Sequence, residues 1–244
     1  MILSSFGLSL HNQSDTNKQQ IMASIFKSSI GKKLIMSVSG ICLILFLTFH
    51  MVMNLTYVFD PESVVYGTIC EILSMGWVNV VVPVLAAFFV IHIVYAFILT
   101  IGNLRARGDQ RYAVPNKAKT DSWSARNMFV LGLIVLLGIG LHLVNFWSKM
   151  QLQNWLGGAE ADPYVLMENI LGKWWFLCLY IIWFAALWFH LTHGFWSALQ
   201  TLGWNNQIWF KRWKWIGCIY VTLLILGFIV VAVYAFCKAN GCFA

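Results

Sequence analysis

The sequence predicts an all-α integral membrane protein with five transmembrane helices. Three observations lead there. Of 244 residues, 60% are hydrophobic and only 10% are charged, against roughly 45–50% and 25% in a soluble domain. The charged residues divide the chain into five long apolar intervals. The basic residues then fall almost entirely on one side of those intervals. So few charges cannot clothe a water-soluble globule, and 16% aromatic residues exclude a disordered chain. Five or six spans at about 20 residues each use up the chain. That leaves no room for a soluble catalytic domain, so any chemistry is done inside the bilayer or by a docked partner. The net charge of +7 does not point to nucleic acid. No basic run is interleaved with surface aromatics, and most of the basic residues flank apolar spans, as membrane topology requires.

Residues 1–26 read as a polar cytoplasmic tail, with Met22 an alternative start, and 27–244 as one five-helix membrane domain. The uncharged intervals are 26 residues between Lys33 and Asp60, 33 between Glu71 and Arg105, 22 between Arg126 and Lys149, 37 between Lys173 and Lys211, and 23 between Lys214 and Lys238. They place helices at 34–58, 76–101, 127–148, 173–200 and 214–238. The first is too long and starts too late for a cleaved signal peptide. With the N-terminus inside, 13 of 16 basic residues lie on inner segments; the outer ones are Lys149, Lys173 and Lys238. Six of nine acids lie outside. The expectation is an inner (cytoplasmic) membrane, N-terminus cytoplasmic and C-terminus outside. The 102–125 loop is a candidate docking surface. Six cysteines form neither C-x-x-C nor C-x-x-C-H, which argues against a covalent c-type haem and a zinc ribbon. Cys70, Cys237 and Cys242 face the outside on this topology, with no sequence support for a disulfide among them.

Five of six histidines, His50, His92, His142, His190 and His193, lie inside spans one to four. Ionisable groups inside a membrane are costly and point to function. One lone histidine is most simply a hydrogen bond to a neighbouring helix; one in each of four spans is harder to explain so. At 1.5 Å rise per residue, His50 and His142 stand ~24 and ~22 Å above the inner edge, and His92 and His190 ~14 and ~15 Å. They therefore form two level pairs. Two opposed imidazoles at one depth are what a bis-histidine haem b requires. The prediction is a haem-binding bundle of the first four spans, with an outer haem on His50 and His142 and an inner haem on His92 and His190. A structural zinc would want its ligands converging on one point.

Gly138, Gly194 and Ala96 sit one turn from these histidines, where small residues would let a porphyrin edge approach the backbone. His193 competes with His190 for the inner position, and the loser is a propionate candidate. Ser37, Trp123 and Arg126 are further propionate candidates; Arg126 is equally a topology anchor. Glu71, at the outer entrance to span two, is a candidate to handle a quinol proton, or is simply an exposed interfacial acid.

The stretches S-I-G-K-K-L-I-M-S-V-S-G at 29–40, F-H-M-V-M-N-L at 49–55, S-A-R-N-M at 124–128 and F-H-L-T-H-G-F-W at 189–196 resemble the dihaem cytochrome b anchors of succinate dehydrogenases and fumarate reductases. More narrowly, they resemble the b558-type subunit found in Bacteroidetes and relatives. The resemblance spans about 25–240. It implies two haems b with the pairing above. In that family the span-four ligand lies four residues before a Gly, an apolar residue and an aromatic, which here favours His190 before Gly194, Phe195 and Trp196. It further implies an FAD flavoprotein subunit and an iron–sulfur subunit on the cytoplasmic face, where succinate and fumarate are handled, and a dimer of such heterotrimers. This chain would pass electrons between the iron–sulfur subunit and a membrane quinone, menaquinone in the family, near the outer haem. Two rival readings are a cytochrome b anchor of a hydrogenase or formate dehydrogenase, and a haem-free transporter. The first typically has four helices and other histidine positions. The second calls for broken helices and inverted repeats, which the sequence does not display.

Overall fold

The computed structural model describes residues 28–59, 64–107, 123–204 and 206–242; the expected tail and most of the 102–125 loop lie outside them. The described residues are helical with no strand, and five helices are long and apolar enough to cross a membrane. They are span one Ser29–Phe59, span two Val78–Arg107, span three Met128–Asn145, span four Trp174–Thr201 and span five Trp209–Ala239. The expected all-α membrane fold is borne out.

The boundaries shift for identifiable reasons. Span one starts five residues early because the Ser28 hydroxyl caps it, accepting from the Gly31 N–H at 3.0 Å. Span five also starts five residues early and takes its basic residues into its first turns. There Arg212 lies over the Trp209 ring at 5.1 Å, and Lys214 over Trp196 and Phe210 at 4.5 and 4.3 Å. The long side chains keep their charges against ring faces at the helix end. Span three is shorter, breaking after Asn145 into a 3-10 turn, Trp147–Lys149.

Three short helices lie at the end of the bundle opposite the N-terminal end of span one: Val64–Ser74, Gln151–Leu156 and Pro163–Leu171. In the last, Asp162 caps the Val165 N–H at 2.9 Å and Pro163 occupies the first turn. All four described acids, Glu71, Glu160, Asp162 and Glu168, are at this end. We call it the acidic end. The opposite, basic end carries Lys32, Lys33, Arg105, Arg126, Lys211, Arg212 and Lys214.

Span five is the centre of the packing. It lies against spans four and one; span one also packs on spans two and four, and span three packs on span four. Val221, Leu224, Ile225, Val231, Ala232 and Ala235 of span five are buried. Close approach is made at glycines: Gly217 meets the Phe195 ring and Gly227 meets the Met51 side chain, as small residues allow in membrane helix pairs. Polar ties cross the same contacts. Thr48 bonds Tyr220, and the Trp188 indole donates to Thr222 at 2.9 Å. Span two lies at the edge, packed on span one, with its Val80, Val84, Val90, Val94 and Leu104 side chains exposed.

Candidate functional site

The structure brings the four mid-depth histidines together as two cross-helix pairs. His92 of span two faces His190 of span four with ring centroids 6.4 Å apart and planes at 68°. His50 of span one faces His142 of span three at 5.7 Å and 85°. Spans one and two run antiparallel, as do three and four, so one level lies nearer each end of the bundle. His50 is nine residues from the end of span one at Phe59, on the acidic side.

The inner pair is set by small residues of neighbouring helices. A side chain at Gly40 would have its Cβ 3.2 Å from His92 Cε1 and 3.5 Å from Nδ1. A side chain at Gly132 would have its Cβ 3.5 Å from His190 Cε1 and 3.9 Å from Nδ1. Span one thus backs His92, and span three backs His190, in the same way. The His92 Nδ1 lies 3.3 Å from the Ser39 hydroxyl, which itself donates to the Met36 carbonyl at 3.1 Å. The His190 Nδ1 is buried with no hydrogen-bond partner among the described residues.

The outer pair sits among rings. His50 stacks on Phe46 at 5.6 Å and meets Phe228 at 6.0 Å. His142 meets Phe146 at 5.3 Å and stacks on Trp183 at 6.0 Å. Trp183 is fixed by donating to the Val135 carbonyl at 3.1 Å, and its indole fills the space beside Gly138. Gly138 therefore makes room for a tryptophan, where the sequence suggested room for a macrocycle edge. Asn54 donates to the His50 carbonyl at 2.8 Å and lies 3.4 Å from its Nε2.

The donor set fits a metal between each pair. With metal–imidazole bonds of about 2 Å, two axial imidazoles hold their ring centroids roughly 6.3 Å apart. The inner pair stands at that separation and the outer pair about half an ångström inside it. Among the described residues no three His, Cys, Asp or Glu side chains converge as a metal cluster.

The other predicted residues fall into three places. His193 lies one turn from His190, edge-on to Trp196 at 5.0 Å, with a buried Nδ1 that has no hydrogen-bond partner among the described residues. Ser37 is buried on span one, two residues before Ser39. Trp123 and Arg126 occupy a four-residue helix at the basic end; both are exposed, and the Trp123 ring packs on Phe189 at 5.2 Å. Glu71 is exposed and lines a cleft of about 480 Å³ at the acidic end, with Cys70, Ser74, Glu160, Asp162 and Tyr164. In that cleft, burial pushes the Cys70 thiol up to about 11, against a hydrogen bond from Tyr66 that lowers it. Burial also raises the Tyr66 phenol. Beside the cleft, Tyr57, Tyr66 and Tyr164 pack ring to ring at 4.9–5.4 Å.

Sequence reasoning missed Gly40, Gly132 and Ser39. Their signal is faint: a small residue matters here only because another helix sets a histidine against it. Comparison with family models, with curated proteins and with solved structures finds no match. Fold and composition define a multi-pass, all-α membrane protein. Its distinguishing feature is the two histidine pairs.

Proposed function

We propose that this chain is the membrane-anchor cytochrome b subunit of a succinate:quinone oxidoreductase (a succinate dehydrogenase or fumarate reductase). The observation that carries the reading is the pair of cross-helix histidine contacts at two depths, 5.7 and 6.4 Å between ring centroids. The 6.4 Å separation suits two imidazoles on one metal, and the 5.7 Å pair would reach it by opening about half an ångström. A transporter gives no reason for such pairing. A bound haem b would supply a one-electron iron couple at each level.

The chain's own residues then have definite tasks. His92 and His190 hold the inner haem, and His50 and His142 the outer one. Gly40 and Gly132 seat the inner imidazoles against helix backbone. Ser39 and the Met36 carbonyl take the Nδ1 side of His92, leaving Nε2 as the coordinating nitrogen. Phe46, Phe228 and Trp183 exclude water around the outer pair. His193, Ser37, Trp123 and Arg126 are placed toward the basic end, where propionates of the inner haem would emerge. Glu71, in the cleft beyond the outer pair, exchanges the proton of a quinol, with menaquinone the expected quinone. The basic end faces the cytoplasm and docks the iron–sulfur and FAD subunits; the acidic end faces out. Dicarboxylate chemistry belongs to those partners.

The test is a dithionite-reduced minus oxidised visible spectrum of the purified chain with a pyridine haemochrome count. Two haems b per chain are expected. His50→Ala and His142→Ala should each lose one, and His92→Ala and His190→Ala the other. Protein from haem-replete membranes that carries no haem would end this reading.

A further inference from the structure

Span five ends in a cap whose geometry brings two cysteines together. Gly241 adopts a left-handed conformation, φ 69°. The Cys242 N–H bonds back to the Cys237 carbonyl at 2.9 Å, and the Gly241 N–H to the Lys238 carbonyl at 3.3 Å. This six-to-one and five-to-two pair of bonds is a Schellman cap. In such a cap the side chains of the third-last helical position and of the second residue past the cap meet, ordinarily as an apolar contact. Here both positions are cysteine, Cys237 and Cys242. Both are free thiols in this structure, Cys237 half-buried and Cys242 exposed.

We propose that Cys237 and Cys242 form a disulfide that staples the outer end of span five. The proposal rests on the reading that the acidic end faces the exoplasmic side, where disulfides form and persist. The oxidant is a protein disulfide of that compartment. The exposed Cys242, as thiolate, attacks the oxidant's disulfide, forming a mixed disulfide and expelling one oxidant thiolate. Cys237, as thiolate, then attacks the Cys242 sulfur and expels the second. Two protons leave the cysteine pair, and two electrons pass to the oxidant, whose disulfide becomes a dithiol.

The loop closed is short, so the bond constrains the unfolded chain little. Its effect is local. The same turn carries three contacts that fasten span five to the acidic end. Asn240 donates to the Gly172 carbonyl at 3.0 Å, and Lys238 pairs with Glu168 at 3.3 Å. The Lys238 ammonium also lies over the Tyr57 and Tyr164 rings at 5.3 and 5.1 Å. A free helix end frays; a closed one keeps these contacts beside the cleft.

The experiment is differential thiol labelling of the full chain in cells. Free thiols are quenched with light N-ethylmaleimide before lysis, disulfides are then reduced, and new thiols are labelled with heavy N-ethylmaleimide. Peptide mass spectrometry reads each cysteine. Heavy label on Cys237 and Cys242, with light label on Cys42 and Cys218, supports the proposal; light label on both cap cysteines overturns it. Gly241→Val, which the left-handed position disfavours, should cut the heavy fraction severalfold, and an unchanged fraction would remove the cap as the cause. In Cys237→Ser, Cys242 should react with a membrane-impermeant maleimide applied from outside. Protection there overturns the proposal through its topology. Haem content is read separately, so a haem-free chain with this disulfide would refute the cytochrome reading and leave the staple standing.

Discussion

The two histidine pairs are built differently, although they lie in one bundle. The inner pair rests on glycines. Gly40 and Gly132 let His92 and His190 lie against the backbone of the next helix, and their centroids stand 6.4 Å apart. The outer pair rests on rings. His50 and His142 are packed by Phe46, Phe228, Phe146 and Trp183, and their centroids stand at 5.7 Å. Glycine seats fix where an imidazole can be and admit nothing bulkier. Aromatic walls fix it by stacking and can slide. The inner level is therefore the more sharply specified, and on the proposed reading the outer level would have to open by about half an ångström to take a metal between its imidazoles.

Filling a glycine seat gives the largest expected effect. Gly40→Leu drives a branched side chain into the His92 ring, whose Cε1 lies only 3.2 Å from a bare Cβ. If the pairs hold haem as proposed, the haemochrome count should fall from two haems to one, with the outer haem retained. A variant that folds and keeps both haems would show that the seat does not set the inner level.

Removing an aromatic wall is the matching cut at the other level. Trp183→Ala deletes the indole that stacks on His142 and donates to the Val135 carbonyl. Trp183 is half-buried, so its truncation should cost less than the ~3–5 kcal/mol of a fully buried Trp. The melting temperature should drop by several degrees, and the outer haem should be lost on purification ahead of the inner one. Equal loss of both would mean that the two levels are one cooperative unit.

How much of this was legible in the sequence follows the same division. The five spans were legible because charge is expelled from apolar intervals whatever the fold. The two histidine levels were legible because depth along a helix is a matter of counting residues at a fixed rise. Contacts between helices were not. Gly138 read as an open backbone face and is filled by Trp183, because rotation of span three about its axis depends on its neighbour. Gly40 and Gly132 carry no signal of their own and acquire meaning only when His92 and His190 arrive from other spans. Span five, free of histidine, falls outside the expected four-span bundle. It is the buried centre, with Ala235 and Val221 nearly inaccessible. In a membrane helix an apolar side chain suits lipid and protein equally, so composition does not separate the two. The short helices at the acidic end are connections, each below the length at which periodicity speaks.

The smallest expected effect is the most diagnostic, because it separates His92 from His190, the two proposed inner ligands. His92 has a partner for Nδ1, the Ser39 hydroxyl at 3.3 Å, while the Nδ1 of His190 has none among the described residues. An acceptor on Nδ1–H makes an imidazole a stronger donor and favours the ferric state. Ser39 is 2% exposed, so no bulk water replaces its hydroxyl. Ser39→Ala should thus raise the inner potential and leave the outer one in place. A buried hydrogen bond is worth about 1 kcal/mol net. If all of it acts on one redox state, the shift is about 40 mV for a one-electron couple, at about 59 mV per tenfold. Ser39→Thr, which restores the hydroxyl, should return the potential toward its starting value. A merely structural serine would instead change haem content or melting temperature with no such reversal. Potentiometric titration of the two haems decides: a shift confined to the inner couple and reversed by threonine assigns Ser39 the orienting role. A shift shared by both couples would assign it to general packing of span one against span two.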